Sequence, residues 1–222
     1  MEAIISLKDV CKEYTRNSKV TTEALQDISF DVFKGETLGI VGESGSGKST
    51  LAQILAGLLD ASKGTVKRKG SIQMVFQNPV ESFNPRRTLE YSVGEYLKNK
   101  GIDKKDIQKK VAKTFTLCGL KPELANKYPH QVSGGQCQRA AIARALIAEP
   151  DILICDEATS SLDVTVQKQI IDLLDELKDN EGLTIIFISH DLSLVEMFCE
   201  RAIIIKAGRL CKIYEKKTNY IG

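Results

Sequence analysis

The run Leu38-Gly39-Ile40-Val41 leads directly into Gly42-Glu43-Ser44-Gly45-Ser46-Gly47-Lys48-Ser49-Thr50, and a helical pattern over residues 51–58 follows. This is the spacing G-x-x-x-x-G-K-[ST] in the order strand, loop, helix. Glycines let the backbone fold around an oxyanion with its N–H groups turned inward, and the N-terminus of the next helix adds the positive end of a dipole. In such a loop Lys48 reaches the β- and γ-phosphates of a nucleotide and Ser49 ligates Mg²⁺. A second apolar run, Ile152-Leu153-Ile154-Cys155, ends in Asp156-Glu157, at the strand end where open α/β sheets bind ligands. Asp156 is placed to hold Mg²⁺, directly or through water. Glu157, next along and pointing differently, suits the polarisation of an attacking water. A third run, residues 184–188, ends in Ser189-His190-Asp191 and brings an imidazole to the same sheet edge, within reach of a γ-phosphate.

Val132-Ser133-Gly134-Gly135-Gln136 precedes an alanine-rich helical pattern at 140–148, which Glu149-Pro150 closes. Ser133 and Gln136, three apart, make a capping box. The two glycines inside the cap leave backbone N–H groups bare, so that a phosphate from outside can approach the helix N-terminus closely.

These groups need a scaffold, and the rest of the chain supplies one. Short apolar runs at 4–7, 38–41, 72–76, 152–155, 184–188 and 202–205 alternate with helical patterns, which predicts an α/β fold on a mostly parallel sheet. The runs from residue 152 onward are solidly apolar, as strands covered on both faces must be. Residues 21–33 are less regular and end in Lys34-Gly35, which suggests an antiparallel flap leaning on the main sheet. Between 78 and 148 the strand signal disappears. Ile107, Val111, Ala112 and Phe115 mark one amphipathic helix there, and the alanine-rich stretch marks another. Val166, Ile170, Ile171, Leu173, Leu174 and Leu177 line a later helix, set between two core strands as a crossover element.

Composition excludes several classes. Of the 222 residues, Lys and Arg number 31 and Asp and Glu 29, a net charge of +2, so the electrostatic footprint of a nucleic-acid binder is missing. The longest apolar run is four residues, where a spanning helix needs about 20. The first residues have neither a basic leader nor an apolar core, so no secretory signal is expected and the cytoplasm is the expected compartment. Six scattered cysteines with no C-x-x-C pair, and only two histidines, argue against structural zinc and for reduced core thiols.

Taken in order, Gly42 to Thr50, Gln77, Ser133-Gly134-Gly135-Gln136, Asp156-Glu157, Ser161-Leu162-Asp163 and Ser189-His190-Asp191 resemble the nucleotide-binding domain of an ATP-binding cassette (ABC) transporter over essentially the whole chain. The resemblance implies a P-loop NTPase core with a mostly parallel sheet, an N-terminal antiparallel β subdomain and an inserted α-helical subdomain. It implies a single domain, 1–222, with 1–77 and 149–222 as the core and 78–148 as the insertion. It further implies Mg²⁺-dependent ATP hydrolysis, with Tyr14 stacked on adenine, Gln77 touching Mg²⁺ or water and linking the site to the insertion, and His190 holding the γ-phosphate. Ser133, Gly134, Gly135 and Gln136 would contact ATP held by a second subunit, and Asp163 would pass contacts between subunits. Val132 stands where the family usually has leucine and Cys137 where a longer polar residue is common; neither removes a phosphate contact.

Residues 78–88, Asn-Pro-Val-Glu-Ser-Phe-Asn-Pro-Arg-Arg-Thr, resemble the branch that imports oligopeptides, dipeptides and nickel or metal chelates. Implied partners are a second cassette, identical or related, transmembrane permease subunits and, indirectly, an extracytoplasmic substrate-binding protein, with the chain peripheral on the cytoplasmic face of the membrane. Alternatives are a soluble cassette driving a non-transport complex, such as phosphonate cleavage, and a nucleotide-dependent interaction module without turnover. The branch usually extends beyond the core, and the chain, stopping at Asn219-Tyr220-Ile221-Gly222, reads as the bare motor. The lysine-rich run 98–113 reads as a solvated helix face, with acidic lipid or a partner as the alternative.

Overall fold

The computed structural model describes residues 2–16, 19–159 and 162–216. Met1, Ser161 of the Ser-Leu-Asp run, and Asn219 to Gly222 lie outside the described residues.

Two sheets organise the chain. The smaller is antiparallel, with β1 (Ala3–Arg16) between β2 (Lys19–Phe33) and β4 (Lys63–Arg68). The larger has six strands in the order β5 (Ile72–Val75), β6 (Ile152–Asp156), β7 (Thr184–Ser189), β3 (Thr37–Val41), β8 (Arg201–Lys206) and β9 (Arg209–Glu215). Its neighbours pair in parallel except β9, an antiparallel edge on β8. The helices are α1 (Lys48–Leu55), α2 (Pro79–Ser82), α3 (Leu89–Asn99), α4 (Lys104–Leu117), α5 (Gly134–Leu146), α6 (Val164–Glu181) and α7 (Leu192–Phe198). Among the described residues no helix is long and apolar enough to cross a membrane.

Strand alternation explains why β3, β6 and β7 are apolar throughout. Successive side chains point to opposite faces, and each face of the large sheet has its own core. Ile152, Ile154, Ile186, Ile188, Leu38 and Ile40 pack with α1 and the antiparallel sheet, whereas Leu153, Cys155, Ile185 and Phe187 pack with α5, α6 and α7. Every residue of β3, β6 and β7 is buried. The crossover helix α6 starts at Asp163, whose Oδ1 accepts the Val166 N–H at 3.0 Å, and stops at Gly182 in the left-handed region. Its Ile170, Ile171, Leu173, Leu174 and Leu177 are all buried.

The α/β architecture, the flap and the crossover helix follow the sequence pattern; several boundaries differ. The strand expected at 4–7 is the N-terminal part of the 14-residue β1. Strands β4 and β9 carry no usable signal because they are edge strands with nearly all side chains exposed. The first helix begins at Lys48 rather than 51, because the loop ends abruptly at Gly47 (φ 104°), and it stops at Leu55. The alanine-rich helix starts at Gly134 and ends at Leu146, short of the proline. Helix α3 was not anticipated: its buried Leu89, Val93 and Leu97 recur every four residues, but exposed tyrosine and charge interrupt the pattern.

Four cysteines, Cys118, Cys137, Cys155 and Cys199, are buried. Burial pushes the Cys118 and Cys155 thiols up to about 12 and Cys137 up to about 11, and raises Cys199 as well. Only thiolates react, so at about pH 8 a thiol reagent should modify exposed Cys211 and, more slowly, half-buried Cys11, with the other four reacting only after unfolding. Rapid native-state labelling of more than these two, counted by mass spectrometry, would contradict the packing described.

Candidate functional site

The loop after β3 closes tightly on α1. At Gly47 a Cβ would lie 2.5 Å from the Ala24 carbonyl oxygen, and φ is positive, so only glycine fits. This lets the first turn of α1 point into the loop. Lys48, 4% exposed, folds back: its Nζ donates to the carbonyls of Gly42 (2.7 Å) and Glu43 (2.9 Å). The Ser46 hydroxyl is buried without a hydrogen-bond partner.

Strand β6 delivers two carboxylates to this loop with different surroundings. Asp156 is buried, and Ser49 Oγ donates to its Oδ1 at 3.4 Å. Burial raises the Asp156 pKa; the Ser49 hydrogen bond opposes this, Glu157 adds to it and Lys48 opposes it. An ionised Asp156 is therefore short of positive charge. The buried carboxylate and the adjacent Ser49 hydroxyl suit Mg²⁺ held together with phosphate oxygens. The described residues contain no cluster of three or more His, Cys, Asp or Glu able to hold a metal by themselves, which is the usual condition of such Mg²⁺ sites.

Glu157 leaves the strand in the left-handed region, φ 47°, with its N–H donated to the Ile188 carbonyl at 3.0 Å. A non-glycine residue there costs on the order of 1–3 kcal/mol and persists only where its surroundings hold it. Among the described residues, Gln77 Nε2 donates to Oε2 of its carboxylate at 2.8 Å, Lys48 Nζ lies 3.7 Å from Oε1, and His190 Nδ1 lies 3.8 Å from Oε2. His190 is placed by the end of β7, where Ser189 Oγ accepts the Asp191 N–H at 3.0 Å and Asp191 caps α7 through the Ser193 N–H at 2.9 Å. Residues far apart in the chain thus meet around one carboxylate.

A cleft of about 620 Å³ is lined by this carboxylate, Ser44, Gly45, residues 47–50, Gln77, Gly208 and Tyr14 on β1. Tyr14 is 41% exposed, with Lys12 Nζ 5.5 Å from its ring centre. A second cleft of the same volume, lined by 41–44, Glu157 and His190, lies on the other side of Glu157.

The glycine-rich cap does not join this cluster. Ser133 Oγ accepts the Gln136 N–H at 3.2 Å and Gln136 Oε1 accepts the Ser133 N–H at 3.0 Å, so the capping box is formed. Ser133, Gly135 and Gln136 line a separate cleft with Arg139, Val166 and Gln169, and Asp163 is occupied capping α6. Gly135 also serves packing, since a Cβ there would approach Val166 Cγ1 to 2.7 Å. Sequence reasoning missed Arg144 of α5, whose guanidinium donates to Ser82 O (2.6 Å) and Oγ (2.9 Å) and covers the Phe83 ring at 4.4 Å. It thereby ties α5 to the segment after Gln77. A cation in an alanine-rich helix is the only signal the sequence offers for it.

Comparison with known proteins agrees on one family. Residues 25–160 match the family described as ABC transporter. The oligopeptide transport ATP-binding protein OppF of Haemophilus influenzae is 42% identical over 211 residues, covering 87% of this chain and 64% of that protein. OppF of Bacillus subtilis is 38% identical over 236 residues, covering 96% of this chain and 75% of that protein. The chain spans less than two thirds of the length of the Haemophilus relative and 63% of OppF from Salmonella typhimurium and Escherichia coli. Among solved structures, the dimeric post-hydrolysis state of the ATP-binding cassette MJ0796 bound to ADP and Pi superposes with a TM-score of 0.86 at 30% identity, over 95% of this chain and 98% of that one. The cbiO1 subunit from Clostridium perfringens, part of the ABC transporter complex cbiONQ, gives 0.85 at 30%, over 97% and 89%.

The contact between Gly135 and Val166 is open to direct test. Gly135→Ala should destabilise the chain by about 1–3 kcal/mol through overpacking, and adding Val166→Ala should recover most of that loss in urea denaturation. A Gly135→Ala protein as stable as the parent would show that this glycine has no packing role.

Proposed function

The chain belongs to the ABC transporter family, and from that membership we propose that it is an ATP-hydrolysing subunit powering the import of peptides, or of nickel or metal chelates. The observation that carries the hydrolytic part is the convergence of Lys48, Gln77 and His190 on the strained Glu157. Oligopeptide transport in the names of the OppF relatives favours peptide cargo.

The geometry supports a role for each residue. Backbone N–H groups of residues 42–50 and the N-terminus of α1 receive the phosphates of ATP. Lys48 exchanges its two carbonyl partners for the β- and γ-phosphate oxygens. Ser49, Asp156 and Gln77 are the residues that would hold Mg²⁺, which neutralises charge on the transferring phosphoryl group. Tyr14 offers its ring to adenine at the far end of the same cleft. Glu157 accepts a proton as water attacks the γ-phosphorus and the bond to the β–γ bridging oxygen breaks, leaving ADP and inorganic phosphate. His190 donates a hydrogen bond to the γ-phosphate. The hydrogen bond from Gln77 parks the Glu157 carboxylate until phosphates and water enter.

Ser133, Gly134, Gly135, Gln136 and Asp163 lie outside the P-loop cleft of their own chain, which supports a composite site completed by a second cassette. Residues 78–148 then act as the inserted helical unit, on a core of 1–77 and 149–222. The groove of about 820 Å³ between Gln77 and α3, lined also by Glu81, Tyr96, Asn99 and Arg144, receives a transmembrane permease subunit. The chain thus works as a peripheral protein on the cytoplasmic membrane face, fed indirectly by an extracytoplasmic substrate-binding protein.

Glu157→Gln is the decisive variant. Phosphate release should fall about 10²- to 10⁴-fold, the range for a lost general base, while ATP still binds and drives the protein to elute as a dimer in size-exclusion chromatography. Turnover at the parental rate would remove Glu157 from the mechanism.

A further inference from the structure

The phosphate loop and the aromatic ring across the cleft from it belong to different sheets. The loop hangs from β3, which pairs with β8 through Val41 and Ile204, so the loop and the β8–β9 hairpin are parts of one sheet. Tyr14 stands on β1, opposite Thr22 of β2, in the antiparallel sheet. A joint between the sheets beside the cleft therefore sets the distance from Tyr14 to the loop.

The tip of the β8–β9 hairpin makes such a joint. Lys206 pairs with Arg209, which leaves Ala207 (φ 47°) and Gly208 (φ 75°) as a two-residue turn with both residues in the left-handed region. The Gly208 N–H donates to the Ser46 carbonyl of the loop at 3.0 Å, and the Gly208 carbonyl accepts the Gln26 N–H of β2 at 2.8 Å. A Cβ on Gly208 would lie 2.8 Å from the Ala24 carbonyl oxygen and 3.4 Å from the Leu25 Cα, and a Cβ on Gly47 would lie 2.5 Å from the same Ala24 oxygen. That carbonyl is held between a glycine of the loop and a glycine of the turn, and β2 comes this close because neither carries a side chain. Ala24, Gln26, Ala207 and Gly208 line the same cleft as Tyr14 and the loop.

We infer that Gly208 is a positioning residue for the nucleotide, fixing the span between the Tyr14 ring and the phosphate loop. The loop is braced from within, by Lys48 Nζ on the Gly42 and Glu43 carbonyls and by the Ser46 N–H on the Glu43 carbonyl at 3.1 Å. It is also backed by β8, since a Cβ on Gly42 would lie 2.3 Å from the Ile205 carbonyl oxygen. A side chain at 208 therefore displaces β2, and with it β1 and Tyr14, rather than the loop. A nucleotide held at both ends registers that displacement at its base and not at its phosphates. This role rests on the reading that the cleft takes ATP with Tyr14 against adenine, and it adds what sets the length of the site.

Calorimetric titration with ADP and with inorganic pyrophosphate, both in the presence of Mg²⁺, tests it. The parent chain should bind ADP more tightly than pyrophosphate. Gly208→Ala should weaken ADP binding about five- to a hundredfold, the range for losing the stack of one base on an aromatic ring, and leave pyrophosphate affinity within about twofold. Should that variant lose the parental circular dichroism spectrum, Gly208→Asn serves, because asparagine tolerates positive φ and brings the same Cβ. Equal loss for both ligands would make Gly208 a support of the loop or of the fold at large and overturn the inference, as would unchanged ADP affinity in a folded variant. A parent that binds ADP no better than pyrophosphate overturns it together with the adenine reading of Tyr14, whereas a preference for ADP that survives the substitution overturns it and leaves that reading standing.

Discussion

The parallel pairing of β6 with β7 is the constraint on which the rest of the site depends. In this register Asp156 stands opposite Ile188 and the Glu157 N–H reaches the Ile188 carbonyl, so the carboxylate pair and His190 leave the sheet at the same level. A slip of one residue would exchange the two faces of a strand. Here each face feeds a different apolar core, with Ile152 and Ile154 on one side and Leu153 and Cys155 on the other. Both faces are apolar, so alternation alone would not forbid a slip. The two cores differ in shape and in the helices that cover them, and the polar residues must emerge at the strand ends, which together hold the register.

Electrostatics at the loop follow from that alignment. Lys48 is buried among carbonyl oxygens and next to a carboxylate, so its charge is satisfied before any ligand arrives. Asp156 is less well served, as its raised pKa shows. One positive charge is thus held in the loop and one negative charge is short of its partner, the arrangement that the proposed binding of phosphate and Mg²⁺ calls for. The left-handed backbone at Glu157 is strain retained where the proposed chemistry needs it.

The helices between β5 and β6 hold the second half of the functional residues away from the first. Arg144 crosses from α5 to Ser82 and Phe83, so the segment after Gln77 is tied to the helix that begins with Gly134. One half-buried guanidinium with directed hydrogen bonds makes this tie more stiffly than an apolar contact would, because its donors fix an orientation.

Much of this was legible in the chain. The phosphate loop, the Asp-Glu pair and the capping box are local motifs whose meaning depends on nearest neighbours, and the buried strands declare themselves because burial on both faces demands continuous apolar runs. Edge strands β4 and β9 and helix α3 were illegible for the opposite reason: exposure relaxes the pattern. What the sequence determined by itself is therefore short-range, namely which residues could bind phosphate, cap a helix or fill a core. Tertiary structure alone decided that Gln77, Lys48 and His190 share one carboxylate and that Gly135 yields to Val166. Those are distances between segments up to 140 residues apart, roughly the span from Lys48 to His190, and only the closing of the sheet and its two cores sets them.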